Sequence, residues 1–259
     1  MIASLVIGLA ILSIALGPME AYWPGVWAQQ RFRRGWSLDL IYWFFTALIT
    51  KPVAKLAVVI VLAPALWLTA AGSFENLLKG HGPLGRQPRL DQAVQMIVLI
   101  DFIGCWLHRA FHHHRLWRFH AIHHSSVDLD WLSAARVHPV NDIVNKAAQA
   151  AIVVALGYAP VLLTGTLPLF TAYAIFQHAN VSWDFGPLRR VIATPRFHRW
   201  HHTSAPEGRD RNFAGLLPLW DIVFGTYYLP ATQPTQFGTH ESLPNDLLSQ
   251  MLWPFRPGH

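Results

Sequence analysis

The chain has 259 residues, of which 53% are hydrophobic and only 13% charged, against roughly 25% charged in soluble domains. That balance excludes an ordinary soluble domain and indicates a protein of membrane helices. The net charge of +6 comes from basic residues set beside apolar runs, with no long polar arm, so the acidic partner it implies is a lipid headgroup and not nucleic acid.

Taken in order, Ile2–Leu16 is an apolar run with no basic residue before it and a poor cleavage site at Gly17-Pro18-Met19-Glu20. It reads as a retained first span and not as a cleaved leader. The loop that follows ends in Gln29-Gln30-Arg31-Phe32-Arg33-Arg34, a basic cluster that the positive-inside bias assigns to the cytoplasm. Leu38–Ile49 is short for a span of ~20 residues, and is either interfacial or one arm of a hairpin with the next run. Pro52–Ala71 is a fuller span, with Lys55 snorkelling near its start and a kink expected at Pro64. Gly72–Arg89 reads as a loop. Asp91–Leu107 is apolar again and leads directly into Leu107–His124, which holds seven of the fifteen histidines. The single cysteine, Cys105, lies in this run and permits no intrachain disulfide.

Ser125–Asn141 is polar and ends in Arg136-Val137-His138-Pro139-Val140-Asn141. Ile143–Gln177 is apolar but broken by Gly157, Pro160, Gly165 and Pro168, so it reads as a two-span hairpin that returns His178 to the level of the first histidines. Trp183–His259 has no run long enough to span and reads as a polar cap. The expected architecture is all-α: an integral membrane bundle of about four to six helices under a cytosolic, histidine-rich helical cap. N-terminal spans occupy 1–90, a catalytic domain 91–230 and a tail 231–259, in the inner membrane of a bacterium.

The histidine spacing is that of metal ligands on helices. His108 and His112 are four apart; His120, His123 and His124 stand at i, i+3 and i+4, and His198, His201 and His202 repeat that triplet. Such intervals share a helix face, and neutral imidazole suits iron, zinc and copper. Asp101 precedes His108 by two turns, where it either accepts a proton from a ligand imidazole or makes a packing hydrogen bond. His138, before a proline, suits a turn or a hydrogen bond to a ligand. His113 and His114 point to other faces, and His81, His240 and His259 take no role. A histidine-rich metal-binding protein or transporter without chemistry on carbon stays open as an alternative, although a transporter places its ligands at midplane and these boxes lie at span ends. A zinc hydrolase needs only three ligands and an acid.

His108-Arg109-Ala110-Phe111-His112, His120-Ala121-Ile122-His123-His124 and His198-Arg199-Trp200-His201-His202 resemble the three histidine boxes of the fatty acid hydroxylase/sterol desaturase superfamily of membrane di-iron oxidases. His123-His124-Ser125-Ser126, the Arg136-Val137-His138-Pro139 segment and Leu219-Trp220-Asp221 with Gly225-Thr226-Tyr227 are similar to further family stretches. The resemblance implies two iron ions held by His108, His112, His120, His123, His124, His198, His201 and His202, with His178 matching a further ligand. Affinity order alone leaves zinc a competitor in purified samples. It implies no catalytic residue apart from these ligands. It also implies O₂-dependent hydroxylation or desaturation of a lipid C–H bond, in a sterol or hopanoid, a fatty acyl chain or an alkylglycerol. Because no haem, flavin or dinucleotide motif occurs, electrons come from a separate ferredoxin- or cytochrome-type donor with its reductase. Arg109, Arg115, Arg118, Arg136, Arg196 and Arg199 offer that donor, or lipid phosphates, a basic surface.

Overall fold

Residues 1–68 and 73–256 are described by a computed structural model. The end of the Pro52–Ala71 run, the start of the Gly72–Arg89 loop, and the last three positions with His259 lie outside the described residues. The helices, in order, are α1 (Ile2–Tyr22), α2 (Trp36–Phe45), α3 (Lys51–Leu62), α4 (Ala65–Leu68), α5 (Phe74–Lys79), α6 (Gly82–Gly85), α7 (Arg89–Phe111), α8 (His114–His124), α9 (Pro139–Leu156), α10 (Leu163–His178), α11 (Pro195–His201), α12 (Leu219–Val223) and α13 (Leu247–Leu252). The described residues contain no strand. Four helical segments are long and apolar enough to cross a membrane: Ile2–Tyr22, Trp36–Leu62, Arg89–Phe111 and Pro160–His178.

The second of these segments corrects the sequence reading. Leu38–Ile49 and the run after Pro52 are not two arms of a hairpin but one rod of 27 residues, in which α2 passes into α3 through a π-turn at Thr46–Thr50. Proline lacks an N–H and its ring presses on the carbonyl four residues back. Widening the helix by one residue just before Pro52 relieves that conflict, so the rod continues. Pro64 lies in the two-residue turn between α3 and α4, where the helix is interrupted. The expected loop before α7 contains the short helices α5 and α6.

The Ile143–Gln177 hairpin is present, with its turn at Gly157 (φ 91°), but its two arms are unlike. A side chain at Gly157 would meet the His81 carbonyl at 2.5 Å, so this left-handed cap needs glycine. The arm α10, entered through the turn at Pro160, is apolar enough to span. The arm α9 is not among the four candidate spans; its first three turns carry Asn141, Asp142, Asn145, Lys146 and Gln149. It packs along α3 and against α7 and α8, so protein and not lipid covers most of it. By contrast α1 buries only Leu16 and exposes Ile7, Ile11 and Ile14, a stripe at i, i+4 and i+7 that suits contact with acyl chains.

One buried ionic lattice ties the span ends together. Arg33 Nη2 bonds Asp39 Oδ2 at 2.6 Å and Asp130 Oδ1 at 2.5 Å, and Arg136 Nε bonds Asp39 Oδ1 at 2.6 Å. Two guanidinium and two carboxylate groups cancel, which makes their burial tolerable. The lattice joins the α1–α2 loop, the start of α2 and the segment between α8 and α9. That places the loop with Arg31 and Arg34 at the same end of the bundle as the histidine boxes.

Candidate metal centre

The first box ends α7, with His112 as its C-cap; a sharp turn at His113 then starts α8, whose C-terminal half carries His120, His123 and His124. α10 ends on His178. Thr194 caps α11 by accepting from the Phe197 N–H, and Pro195 fills its first position, so a buried helix of seven residues presents His198 and His201, with His202 at its C-cap. Four helix ends therefore meet at one place.

Nine imidazoles converge there in two groups. His108, His112, His120, His124 and His201 form one; His123, His178, His198 and His202 form the other, and within each group the candidate ligand atoms lie within 4.8 Å of one another. The histidines expected as ligands are the members of these groups. His138 is not: its Nδ1 accepts from the Val140 N–H to cap α9, and its Nε2 meets the Met251 carbonyl.

The hydrogen bonds fix which nitrogen faces the centre. Nδ1 of His108 meets the Phe213 carbonyl at 2.8 Å, that of His123 the Arg136 carbonyl at 3.0 Å, that of His178 the Ala174 carbonyl at 2.7 Å and that of His201 the Arg211 carbonyl at 2.7 Å. His120 Nδ1 meets Asn141 Oδ1 and His112 Nδ1 meets Asp210 Oδ1, each at 3.0 Å. A carbonyl or carboxylate only accepts, so each Nδ1 carries the proton and donates it, leaving Nε2 as a bare lone pair. Yet Nε2 of His108 and His120 stand 3.0 Å apart, and Nε2 of His123 and His178 3.1 Å. Two lone pairs at that distance repel unless a cation lies between them. Nitrogens sharing one ion at ~2.1 Å stand roughly 3.0–3.4 Å apart, which is the spacing found. His112 Nε2 is buried with no partner of its own. The donor set fits two metal ions.

Burial keeps the set in its binding form. Desolvation lowers His123 to about 3 and pulls His120, His124, His198, His201 and His202 well below the usual imidazole range, with neighbouring imidazoles adding to the effect. His112 is lowered less, because burial is opposed by the Asp210 carboxylate.

The residues behind the ligands are the part that sequence reasoning missed. Asp210 and Asn212 adopt positive φ (54° and 58°), and the loop they bend supplies the acceptors for His112, His201 and His108 in turn. Asn212, fully buried, pins this loop to the Phe197 and Tyr228 backbones. Asp221 holds its far end, accepting from the N–H groups of Phe213 and Ala214 at 2.8 Å and from Thr226 Oγ1 at 2.6 Å. Asp101 does not reach His108: seven residues are about 10 Å along a helix, too far for a carboxylate to meet that ring. It accepts instead from Leu216 N, Leu217 N and Trp220 Nε1, securing the next stretch of the same loop.

The expected basic docking surface is smaller than the sequence suggested. Arg136, Arg196 and Arg199 are buried, paired with Asp39, Asp184 and the Leu129 carbonyl respectively. Arg115 is exposed, and Arg109 lies half-buried over the Trp106 and Phe213 rings.

A cavity of about 280 Å³ descends from the histidines between α7, α9 and α10. His108, His120, His123, His178 and His198 line its head, and Ile100, Leu167 and Phe170 its apolar walls.

Comparison with known proteins agrees with this geometry. The sequence model described as fatty acid hydroxylase matches residues 93–226. Ornithine lipid hydroxylase OlsE of Rhizobium tropici is 33% identical over 178 residues, covering 65% of this chain and 51% of that protein. Human alkylglycerol monooxygenase is 32% identical over 129 residues, covering 49% of this chain and 28% of that protein. Very-long-chain aldehyde decarbonylase GL1-6 of Oryza sativa subsp. indica is 29% identical over 147 residues, covering 49% and 21%. The chain thus spans about half the length of the first relative and under a third of the others. No solved structure matches it.

Proposed function

The chain belongs to the fatty acid hydroxylase family, and on that premise we propose that it is a membrane di-iron oxygenase that hydroxylates a C–H bond of a lipid. The observation that carries this reading is the pair of buried histidine groups, of five and four members, with bare Nε2 atoms turned inward. Iron held there supplies reductive activation of O₂: one oxygen atom enters the C–H bond, the other leaves as water, and two electrons and two protons are consumed.

The chain's own residues do the rest. His108, His112, His120, His124 and His201 hold one ion, and His123, His178, His198 and His202 the other. The carbonyls of Phe213, Arg136, Ala174 and Arg211 fix the ring orientations before any substrate arrives. The cavity between α7, α9 and α10 receives the lipid from the membrane and presents it beneath the histidines, with apolar walls that exclude water. Two of the relatives are named as a hydroxylase and a monooxygenase of polar lipids, which favours hydroxylation over desaturation and a lipid with a polar head or linkage. The electron donor is a separate protein, and exposed Arg115 is where its acidic surface would meet the cap. The centre shares its end of the bundle with Arg31 and Arg34, and by the positive-inside bias this supports a centre on the cytoplasmic side.

The test is metal content and Mössbauer spectroscopy on protein purified from iron-replete membranes, followed by lipid analysis of cells with and without the gene. Two antiferromagnetically coupled irons per chain and an oxygenated lipid lost with the gene are expected. One metal, or zinc with no iron-dependent activity, would remove the C–H chemistry.

A further inference from the structure

The cavity below the histidines has one wall that an aliphatic chain alone does not explain. Along α9, Asn141, Asn145 and Gln149 stand at i, i+4 and i+8, and all line the cavity. Asn141 is used, since its Oδ1 takes the His120 proton. Asn145 Nδ2 donates to the Asn141 carbonyl at 2.8 Å, which leaves Asn145 Oδ1 with no partner among the described residues. Gln149 is only 8% exposed, and its carboxamide has no partner among the described residues. It lies eight residues, about 12 Å, down α9 from Asn141, in the cavity that Ile100 and Leu167 also line. The carboxamide lines the cavity, and covering it there with an aliphatic chain is unfavourable unless something bonds it. A pure hydrocarbon substrate would leave it unsatisfied.

We propose that Gln149 and Asn145 recognise the amide linkage of an N-acylated lipid and thereby set which carbon lies under the histidine groups. The chemistry selects the linkage. Gln149 offers a donor and an acceptor, and Asn145 adds an acceptor. A secondary amide answers both kinds, its carbonyl accepting from Gln149 Nε2 and its N–H donating to Asn145 Oδ1 or Gln149 Oε1. An ester has no donor, and an ether has neither a donor nor a carbonyl. An amide gripped here places the reacting carbon roughly 6–12 Å away, four to eight residues up α9. The head of such a lipid then lies toward the histidines and its chain toward the membrane interior.

This inference rests on the lipid-hydroxylase reading, but its test does not need turnover. Binding of N-dodecanoylglycine and of its ester counterpart O-dodecanoylglycolic acid, which differ only in NH against O, is measured on the metal-loaded full chain in detergent. The wild type should bind the amide at least tenfold more tightly, the scale of one lost hydrogen bond that leaves its partner unsatisfied. Gln149→Met, similar in length but without the bonding groups, should bring the ratio close to one while metal content stays at the wild-type level. Gln149→Glu, which keeps an acceptor, should retain part of the preference and serves if the methionine variant does not load metal. Equal binding of the two probes by the wild type, binding of neither, or a ratio that Gln149→Met leaves unchanged would overturn the proposal. The oxygenase reading fails separately, through absent iron or absent oxygenated product.

Discussion

The two histidine groups are held from behind in different ways. The five-member group is backed by a surface loop: Asp210, Arg211 and Phe213 receive the protons of His112, His201 and His108. That loop is itself held by Asp221 and Asn212. The four-member group is sunk in the bundle, all of it buried. Its anchors are the Ala174 carbonyl, one turn back on α10, and the Arg136 carbonyl, which the Arg33–Asp39–Asp130 lattice keeps in place. One site is positioned by a restrained loop and the other by a rigid ionic core, so damage behind each should be separable even though the proposed chemistry needs both.

Removing a ligand from either group is the severest way to break the comparison. His123→Ala and His201→Ala should each lower activity by 10³-fold or more and reduce bound metal toward one ion per chain, with membrane insertion unchanged. Retained turnover in either variant would sink the assignment of ligands. Acid should act on both groups at once. In chelator-treated protein the unfolded histidines take up protons below about 6.5, while His123 in the fold resists protonation down to about 3. The unfolded state therefore binds more protons across that window, and stability falls as pH falls, by up to ~1.4 kcal/mol per unit for each such buried histidine. A melting temperature that held steady or rose between pH 7 and pH 5 would contradict this.

The anchors allow a finer separation. Asp39→Asn leaves Arg33 and Arg136 short of charge in the interior and should cost about 3–5 kcal/mol. Its metal loss should be confined to the four-member group. Asp221→Asn keeps the shape but weakens bonds to Phe213, Ala214 and Thr226. It should cost about 1–3 kcal/mol and lower affinity in the five-member group by roughly 10–100-fold. Titration of the two sites by a spectroscopic metal such as cobalt would show which one each variant empties; identical effects would mean the two supports are not independent.

The histidines that gather into these two groups were legible in the sequence because helical spacing is local information. Their division was not. In His120-Ala121-Ile122-His123-His124 the i and i+4 members join the five-member group and the middle one crosses to the other; in His198–His202 the pattern is reversed, with His201 crossing. Each of these two triplets straddles both sites, and only the packing of α8 against α11 decides which way. Asp101 was placed on the correct helical face, yet its reach is fixed by axial distance, which spacing on a face does not convey. Two of the backing residues lie about 100 positions from the rings they hold, in the pairs His108–Phe213 and His112–Asp210, and no pattern along the chain marks them. The rod through Pro52 was not legible because Thr50-Lys51 interrupts the apolar run and leaves Leu38–Ile49 short for a span, and the π-turn that joins the two runs has no sequence signature.

Asp210→Asn should produce the mildest effect. Its carboxylate is more than half exposed, so the bond to His112 Nδ1 competes with water. The neutral amide still offers an oxygen at the same place, and the ring orientation should survive. What changes is the charge behind the ring: the carboxylate raises His112 against the lowering by burial, and makes its Nε2 a stronger donor. The variant should lose a few-fold in affinity at the five-member site alone, with no change at the four-member site and no measurable loss of fold stability. A tenfold or larger loss would mean that Asp210 shapes the loop and does more than polarise one ring, whereas no loss would place the whole support of that site on Asp221 and Asn212.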